Sequence, residues 1–305
     1  MNFSSSNPLD LILNGLFRPY SQRVPDVKKI TMGIKELGLI DRQEDIINDH
    51  IAFRTLGVPN LGIASFEHIF LHHGYTKKDH YFFPQKKIDA YWYKPPSENY
   101  PRVFISELKV ESLSEQSQKI IHSYSDNVLC DPVNEIDLDS AEDVVSFLHR
   151  PLWSVPTLED YKKVLLESEY GAWVLYNRYY LNHYTISVHE LPNPYNKLES
   201  FNKFVKSLGI KLNDSGGEIK VSRDRLLRQS STVAQTLEGK FAHENTHEIA
   251  GSYVEFAERL VLPEFSDLRV EKLSNSHRRD GFEVNNADKI FESTFNEQLG
   301  KNESN

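Results

Sequence analysis

Three residues far apart in the chain, His50, His183 and Glu255, stand in contexts that suit a metal ion. His50 follows Asn48-Asp49 and His183 follows Asn182, and each opens a strand-like run, HIAFRTL in one case and HYTIS in the other. Glu255 lies inside a third apolar run, SYVEFAERL. A lone histidine on a strand is ordinarily a hydrogen-bonded core residue. Two of them at equivalent points of a repeated pattern, together with an inward carboxylate, favour coordination instead. A two-His, one-carboxylate set leaves three adjacent positions open on the ion, which suits Fe(II) that must hold a bidentate substrate and dioxygen together.

Period-two geometry adds an arginine. His50, Ala52 and Arg54 share one face of their strand, which puts the Arg54 Cα about 13 Å from that of His50 at ~3.3 Å per residue. A guanidinium facing a metal across a pocket suits a substrate with two acidic ends, one chelated and one clamped bidentately. The plainer alternative is an ion pair with a nearby carboxylate. On the last strand Glu258 has the opposite parity to Glu255, and matching FISE (104–107) to SYVE (252–255) selects Glu255 through Glu107. Thr185, Ser187 and His189 share the face of His183, which makes His189 the alternative ligand.

Residues 243–247 read His-Glu-Asn-Thr-His, a literal H-E-x-x-H. A zinc protease would need this on a helix with an apolar back face. Here Gly239 precedes it, a strand-like run follows at once, and the protease reading is rejected.

The elements that must bring these residues together form two copies of one order, β-α-β-β-β. The first copy has strands at His50–Leu56, Tyr81–Phe83, Ile88–Tyr93 and Val103–Val110, with a helix from Ile63 to Leu71. The second has strands at His183–Glu190, Ile219–Val221, Leu226–Val233 and Ser252–Leu260, with a helix over Leu198–Leu208. Such a tandem curls into a half-barrel cup lined by alternate strand residues. The expected fold class is therefore α+β, paired βαβββ modules with additional helices in one catalytic domain. Its parts are N-terminal helices (1–45, split by a loop around Pro19–Pro25), module one (about 46–112), a helical insertion (about 113–180), module two (about 181–262) and a C-terminal tail (263–305).

Composition narrows the function classes. Hydrophobic residues make up 39% and charged residues 26% of the 305, which is globular rather than disordered. A net charge of −9 argues against nucleic acid or an anionic membrane as the main partner. The single cysteine, Cys130, excludes an intramolecular disulfide and fits a reducing compartment. The N-terminal stretch has no basic region before its short apolar run, and no run approaches the ~18 apolar residues of a membrane span, so the expectation is a cytoplasmic protein.

NDHIAFRTL (48–56), RVFISELKV (102–110), LNHYTISVHEL (181–191), NDSGGEIKVSRDRLLRQSSTVA (213–234), SYVEFAERL (252–260) and NNADKIFEST (285–294) resemble the 2-oxoadipate dioxygenase/decarboxylase family, also called hydroxyglutarate synthase. The resemblance spans nearly the whole chain. It implies a fold similar to vicinal-oxygen-chelate metalloenzymes, with Fe(II) bound by His50, His183 and Glu255 and the distal substrate carboxylate gripped by Arg54. It places HENTH at a hairpin turn. It also implies that a 2-oxo acid and O2 are the small-molecule partners: 2-oxoadipate loses CO2 and becomes 2-hydroxyglutarate, a step in lysine breakdown. Gln229, Ser230 and Ser231 are candidate pocket contacts, or else polar strand groups at a turn. The competing readings are a redox-neutral isomerase or lyase on the same cup and a metal-free small-molecule binding module.

Overall fold

The computed structural model describes residues 7–300. The first residues of the N-terminal stretch read above and the end of the 263–305 tail lie outside that range.

Two helices open the chain, α1 (Pro8–Arg23) and α2 (Pro25–Glu36). The Asn7 side chain caps α1 by accepting from the Leu9 N–H at 3.0 Å. The expected break at Pro19 does not occur: Pro19 sits inside α1, and the helices part only at Val24, before Pro25 at the first turn of α2. Burial of Leu16, Phe17 and Tyr20 on one face holds the helix through the proline's missing donor.

Module one runs β1 (Asn48–Leu56), α3 (Ile63–His72), β2 (Thr76–Phe83), β3 (Ile88–Lys94) and β4 (Arg102–Leu108). Four helices follow, α4 (Glu115–Ser125), α5 (Ala141–His149), α6 (Leu158–Glu167) and α7 (Glu169–Asn177). Module two runs β5 (His183–Ser187), α8 (Leu198–Ser207), β6 (Lys220–Val221), β7 (Leu227–Ser231), the hairpin β8 (Thr236–Lys240) and β9 (Thr246–Ala250), then β10 (Tyr253–Arg259). The tail carries α9 (Val284–Phe291) and α10 (Asn296–Leu299).

Eight strands form one curled half-barrel sheet in the order β2-β3-β4-β1-β5-β10-β7-β6. β1 and β4 are parallel, β5 and β10 are parallel, and the two halves meet where β1 and β5 pair antiparallel. Each half is thus the other's image about an axis between β1 and β5. The central strands β1, β5 and β10 are buried on both faces. One face packs on helices: the Phe53 ring lies 4.8 Å from Phe66 of α3, and Phe256 lies 5.0 Å from Phe201 of α8. The other face lines the cup. Among the described residues no helix is long and apolar enough to cross a membrane.

Two further expectations about elements need correction, and one holds. β5 ends at Ser187, and Val188–Glu190 turns as a 3-10 helix, so His189 leaves the face that carries His183. β2 begins five residues before Tyr81, because Thr76–His80 is an exposed polar edge with no apolar alternation to mark it. HENTH lies between β8 and β9, where His243 and Glu244 both take positive φ, 61° and 60°. No helix can pass through that backbone.

Candidate metal centre

β1 delivers His50, β5 delivers His183 and β10 delivers Glu255 to one point of the cup, all three buried. Glu255 Oε2 is 3.1 Å from His183 Nε2 and 3.5 Å from His50 Nε2, and the two nitrogens are 3.4 Å apart. Three donors each about 2.1 Å from a single ion, at angles between a right angle and the tetrahedral one, are separated by about 3.0–3.4 Å. Two of the observed spacings fall in that range and the His50–Glu255 spacing lies just beyond it, so the three donors would occupy one face around an ion rather than a belt. Among the described residues this is the group of three such side chains that could hold a metal.

The outer shell fixes each donor. His50 Nδ1 is 2.8 Å from Asp49 Oδ1, and His183 Nδ1 is 3.0 Å from Asn182 Oδ1. Acceptors at both Nδ1 atoms place the ring protons there and turn the Nε2 lone pairs toward Glu255. The two supports are themselves equivalent, each being the residue just before its histidine. Gln229 Nε2 donates to Glu255 Oε1 at 2.6 Å, and Asn286 of α9 donates to Gln229 Oε1 at 3.0 Å. Thr185 Oγ1 lies 3.0 Å from His50 Nε2. Asp49 is gripped by Arg259, whose Nε and Nη2 donate at 2.6 and 2.9 Å.

The electrostatics follow from that crowding. Burial works against the charged form of His50, but the Glu255 and Asp49 carboxylates outweigh it and push its pKa up. For His183 burial dominates and the pKa falls. Burial would raise Glu255, yet the two imidazoles hold it at about 2. Asp49 sits well below the usual carboxylate range, since Arg259, His50 and Arg102 overcome its burial. Glu255 and Asp49 are therefore carboxylates at neutral pH, as a cation-binding site requires.

Arg54 reaches the same cup and is 1% exposed. Its Nη1 donates to Thr294 Oγ1 at 2.9 Å and its Nη2 to the Phe291 carbonyl at 3.1 Å, and the rings of Tyr170 and Trp173 flank it at 5.0 and 5.2 Å. No carboxylate lies within ion-pair distance of it among the described residues, so the plain salt-bridge alternative is not what the structure shows. Burial lowers its pKa.

The cavity at the centre is bounded by His50, His183, Glu255, Gln229, Phe104 and Tyr253, and roofed by Phe282, Ala287, Ile290 and Phe291. Its free volume is about 20 Å³, room for about one water. Sequence reasoning missed this roof. Ala287, Ile290 and Phe291 are spaced at i, i+3 and i+4, the signal of a helix with one apolar face.

Other expectations fare differently. Ser230 points to the helix side of β7, where its Oγ donates to Asn202 Oδ1 of α8 at 2.8 Å, and it is outside the cavity. Ser231 faces the cup side and meets Ser293 Oγ at 2.8 Å. His189 is not part of the donor group; its Nδ1 accepts from the Arg259 N–H at 3.2 Å. Glu107 is not the counterpart of Glu255. The register pairs Ala52 with Phe104 and Thr185 with Glu255, each two residues beyond its histidine, so Phe104 holds the equivalent place. Glu107 points to the helix side and accepts from the Ile63 N–H at 2.7 Å at the start of α3. Gly62 (φ +83°) makes room for it, because a Cβ there would lie 2.6 Å from Glu107 Oε2.

A family model described as 2-oxoadipate dioxygenase/decarboxylase matches residues 12–274. The chain belongs to the 2-oxoadipate dioxygenase/decarboxylase family. It is 42% identical to the family member named 2-oxoadipate dioxygenase/decarboxylase, chloroplastic, of Arabidopsis thaliana, over 95% of this chain and 78% of that protein. The hydroxyglutarate synthase of Oryza sativa, solved in complex with 2-oxoadipate, matches with a TM-score of 0.86 at 42% identity, covering 95% of this chain and 92% of that one. A structure from Ralstonia eutropha JMP134, described as a glyoxalase superfamily protein, shares the fold at 21% identity and a TM-score of 0.67, over 87% of each chain.

Proposed function

We propose that this family member is an Fe(II)-dependent dioxygenase that converts 2-oxoadipate and O2 into 2-hydroxyglutarate and CO2, in lysine breakdown, in a reducing compartment such as the cytoplasm. The observation that carries the reading is a face-on His50–His183–Glu255 group at one part of a closed cup and, four residues along β1 from His50, a buried guanidinium without a carboxylate. The names of the Arabidopsis relative and of the rice structure, which holds 2-oxoadipate, support the substrate and the reaction. An exposed Cys130 without a disulfide partner agrees with a reducing compartment.

His50, His183 and Glu255 would hold the iron, which when bound supplies a Lewis acid for the 2-oxo acid head and electrons for dioxygen. The chain's own residues do the rest. Asp49 and Asn182 keep both imidazoles in the tautomer that presents Nε2, and Gln229 keeps one carboxylate oxygen of Glu255 occupied so that the other faces the donors. Arg54 clamps the far carboxylate of the acid, which sets the direction in which the substrate lies. Phe104, Phe282 and Phe291 exclude water from the reacting end.

Oxygen uptake by anaerobically purified, Fe(II)-loaded protein tests the proposal. The expected result is 2-oxoadipate-dependent uptake matched by CO2 and 2-hydroxyglutarate in equal amounts. Bound metal with no uptake on any 2-oxo acid would overturn it in favour of redox-neutral chemistry. A second expected result concerns Gln229. Gln229→Leu keeps the side-chain bulk but removes the donor to Glu255, and metal affinity should fall by about 10- to 100-fold in competition with a chelator, with the fold retained.

A further inference from the structure

Tyr253 stands on β10 two residues before Glu255 and on the same face. It is fully buried, borders the cavity, and its ring stacks on that of His183 at 4.7 Å with 29° between the planes. Its hydroxyl meets no acceptor in good geometry among the described residues, and Arg54 Nε meets none either. The two side chains lie close enough for the guanidinium to approach the phenol oxygen as a donor, which leaves the hydroxyl proton still without an acceptor. The rest of the Arg54 fork is engaged with Phe291 and Thr294. A buried hydroxyl proton and a buried Nε–H that both lack an acceptor are costly unless one arrives. The fold gains nothing from this hydroxyl that a phenylalanine would not give, since the stacked ring alone supports His183.

We propose that Tyr253 is a specificity-determining residue whose hydroxyl, together with Arg54 Nε–H, receives the distal carboxylate of the substrate. The inference rests on the reading of the cup as a 2-oxo acid site. A substrate anchored at the iron end and carrying a second carboxylate satisfies both open donors at once. A 2-oxo acid ending in a methyl group satisfies neither, so the pair discriminates for dicarboxylic acids.

Tyr253→Phe removes the oxygen and keeps the ring. The ratio of kcat/KM for 2-oxoadipate to that for 2-oxohexanoate should fall by about 10- to 100-fold, the effect of a lost hydrogen bond to a charged group. The loss should appear in KM for 2-oxoadipate, with 2-oxohexanoate unaffected, and the melting temperature should be unchanged or higher. Calorimetric titration of the Fe(II)-loaded protein with adipate, without oxygen, should show weakening by a similar factor. An equal loss on both substrates would mean that Tyr253 acts through His183, and unchanged adipate affinity would mean that the hydroxyl meets no carboxylate; either overturns the proposal. If the wild-type protein does not turn over 2-oxoadipate, the reading of the reaction fails, while adipate binding still decides the role of Tyr253.

Discussion

His183→Ala is expected to abolish 2-oxoadipate-dependent oxygen uptake, with a loss of about 1,000-fold or more, and to leave the purified protein without stoichiometric iron. The size of the effect follows from the site's construction. His183 contributes one of three donors, and its Nε2 is the nearer neighbour of Glu255 Oε2, at 3.1 Å. Two donors would hold the ion weakly, and losing several kcal/mol of Lewis-acid stabilisation costs about three decades in rate. A second readout is independent of turnover. Fe(II) should raise the melting temperature of the wild-type protein by mass action and leave that of the variant unmoved. A variant that retains iron and activity would remove His183 from the centre.

Arg54→Met should separate binding from stability. Methionine fills similar space without a charge, and a buried guanidinium that meets no carboxylate adds little to the fold. The variant loses its bonds to Thr294 Oγ1 and the Phe291 carbonyl, a cost offset by no longer burying a cation. The melting temperature should therefore stay within about 3 °C of wild type. Affinity for 2-oxoadipate should fall by about 100-fold or more, as when one partner of a buried charge pair is removed. Arg54→Lys keeps the charge but not the fork and should recover only part of the loss. Collapse of the fold in Arg54→Met, measured by circular dichroism, would instead assign the guanidinium to anchoring the tail.

Much of this could be read before the structure, and the reasons differ by element. β1 and β10 are buried on both faces, so their sequences are continuous apolar runs in which His50, Arg54 and Glu255 stand out. Parity then placed Arg54 and Thr185 on the cup side. The same logic failed at His189, where alternation continues in the sequence but the backbone turns after Ser187. Glu255 was reached through a match to Glu107 that the register does not support. Periodicity carries no information on cross-strand offset, and a three-residue shift changes the face. The roof was missed because α9 is only eight residues long and opens on Val284-Asn285-Asn286, poor helix formers that hide its apolar stripe. Ser230 could not be sorted from Gln229 until the pairing of β7 with β10 fixed which of the two faces the cup.

The pseudo-twofold arrangement of the sheet has one further consequence. The two halves agree in their histidines and in the supports behind them, and disagree at the next position inward, where one half offers a carboxylate and the other the Phe104 ring. A carboxylate in both places would give a tetradentate cage. In an octahedral sphere, four protein donors and a two-point chelate from the acid would fill every vertex. With the Phe104 ring there instead, His50, His183 and Glu255 would hold the ion with three protein donors, and an apolar wall would border the positions left for substrate. The broken equivalence at Phe104 would then be a matter of valence: the half that withholds a ligand is the half that would leave a position open on the ion.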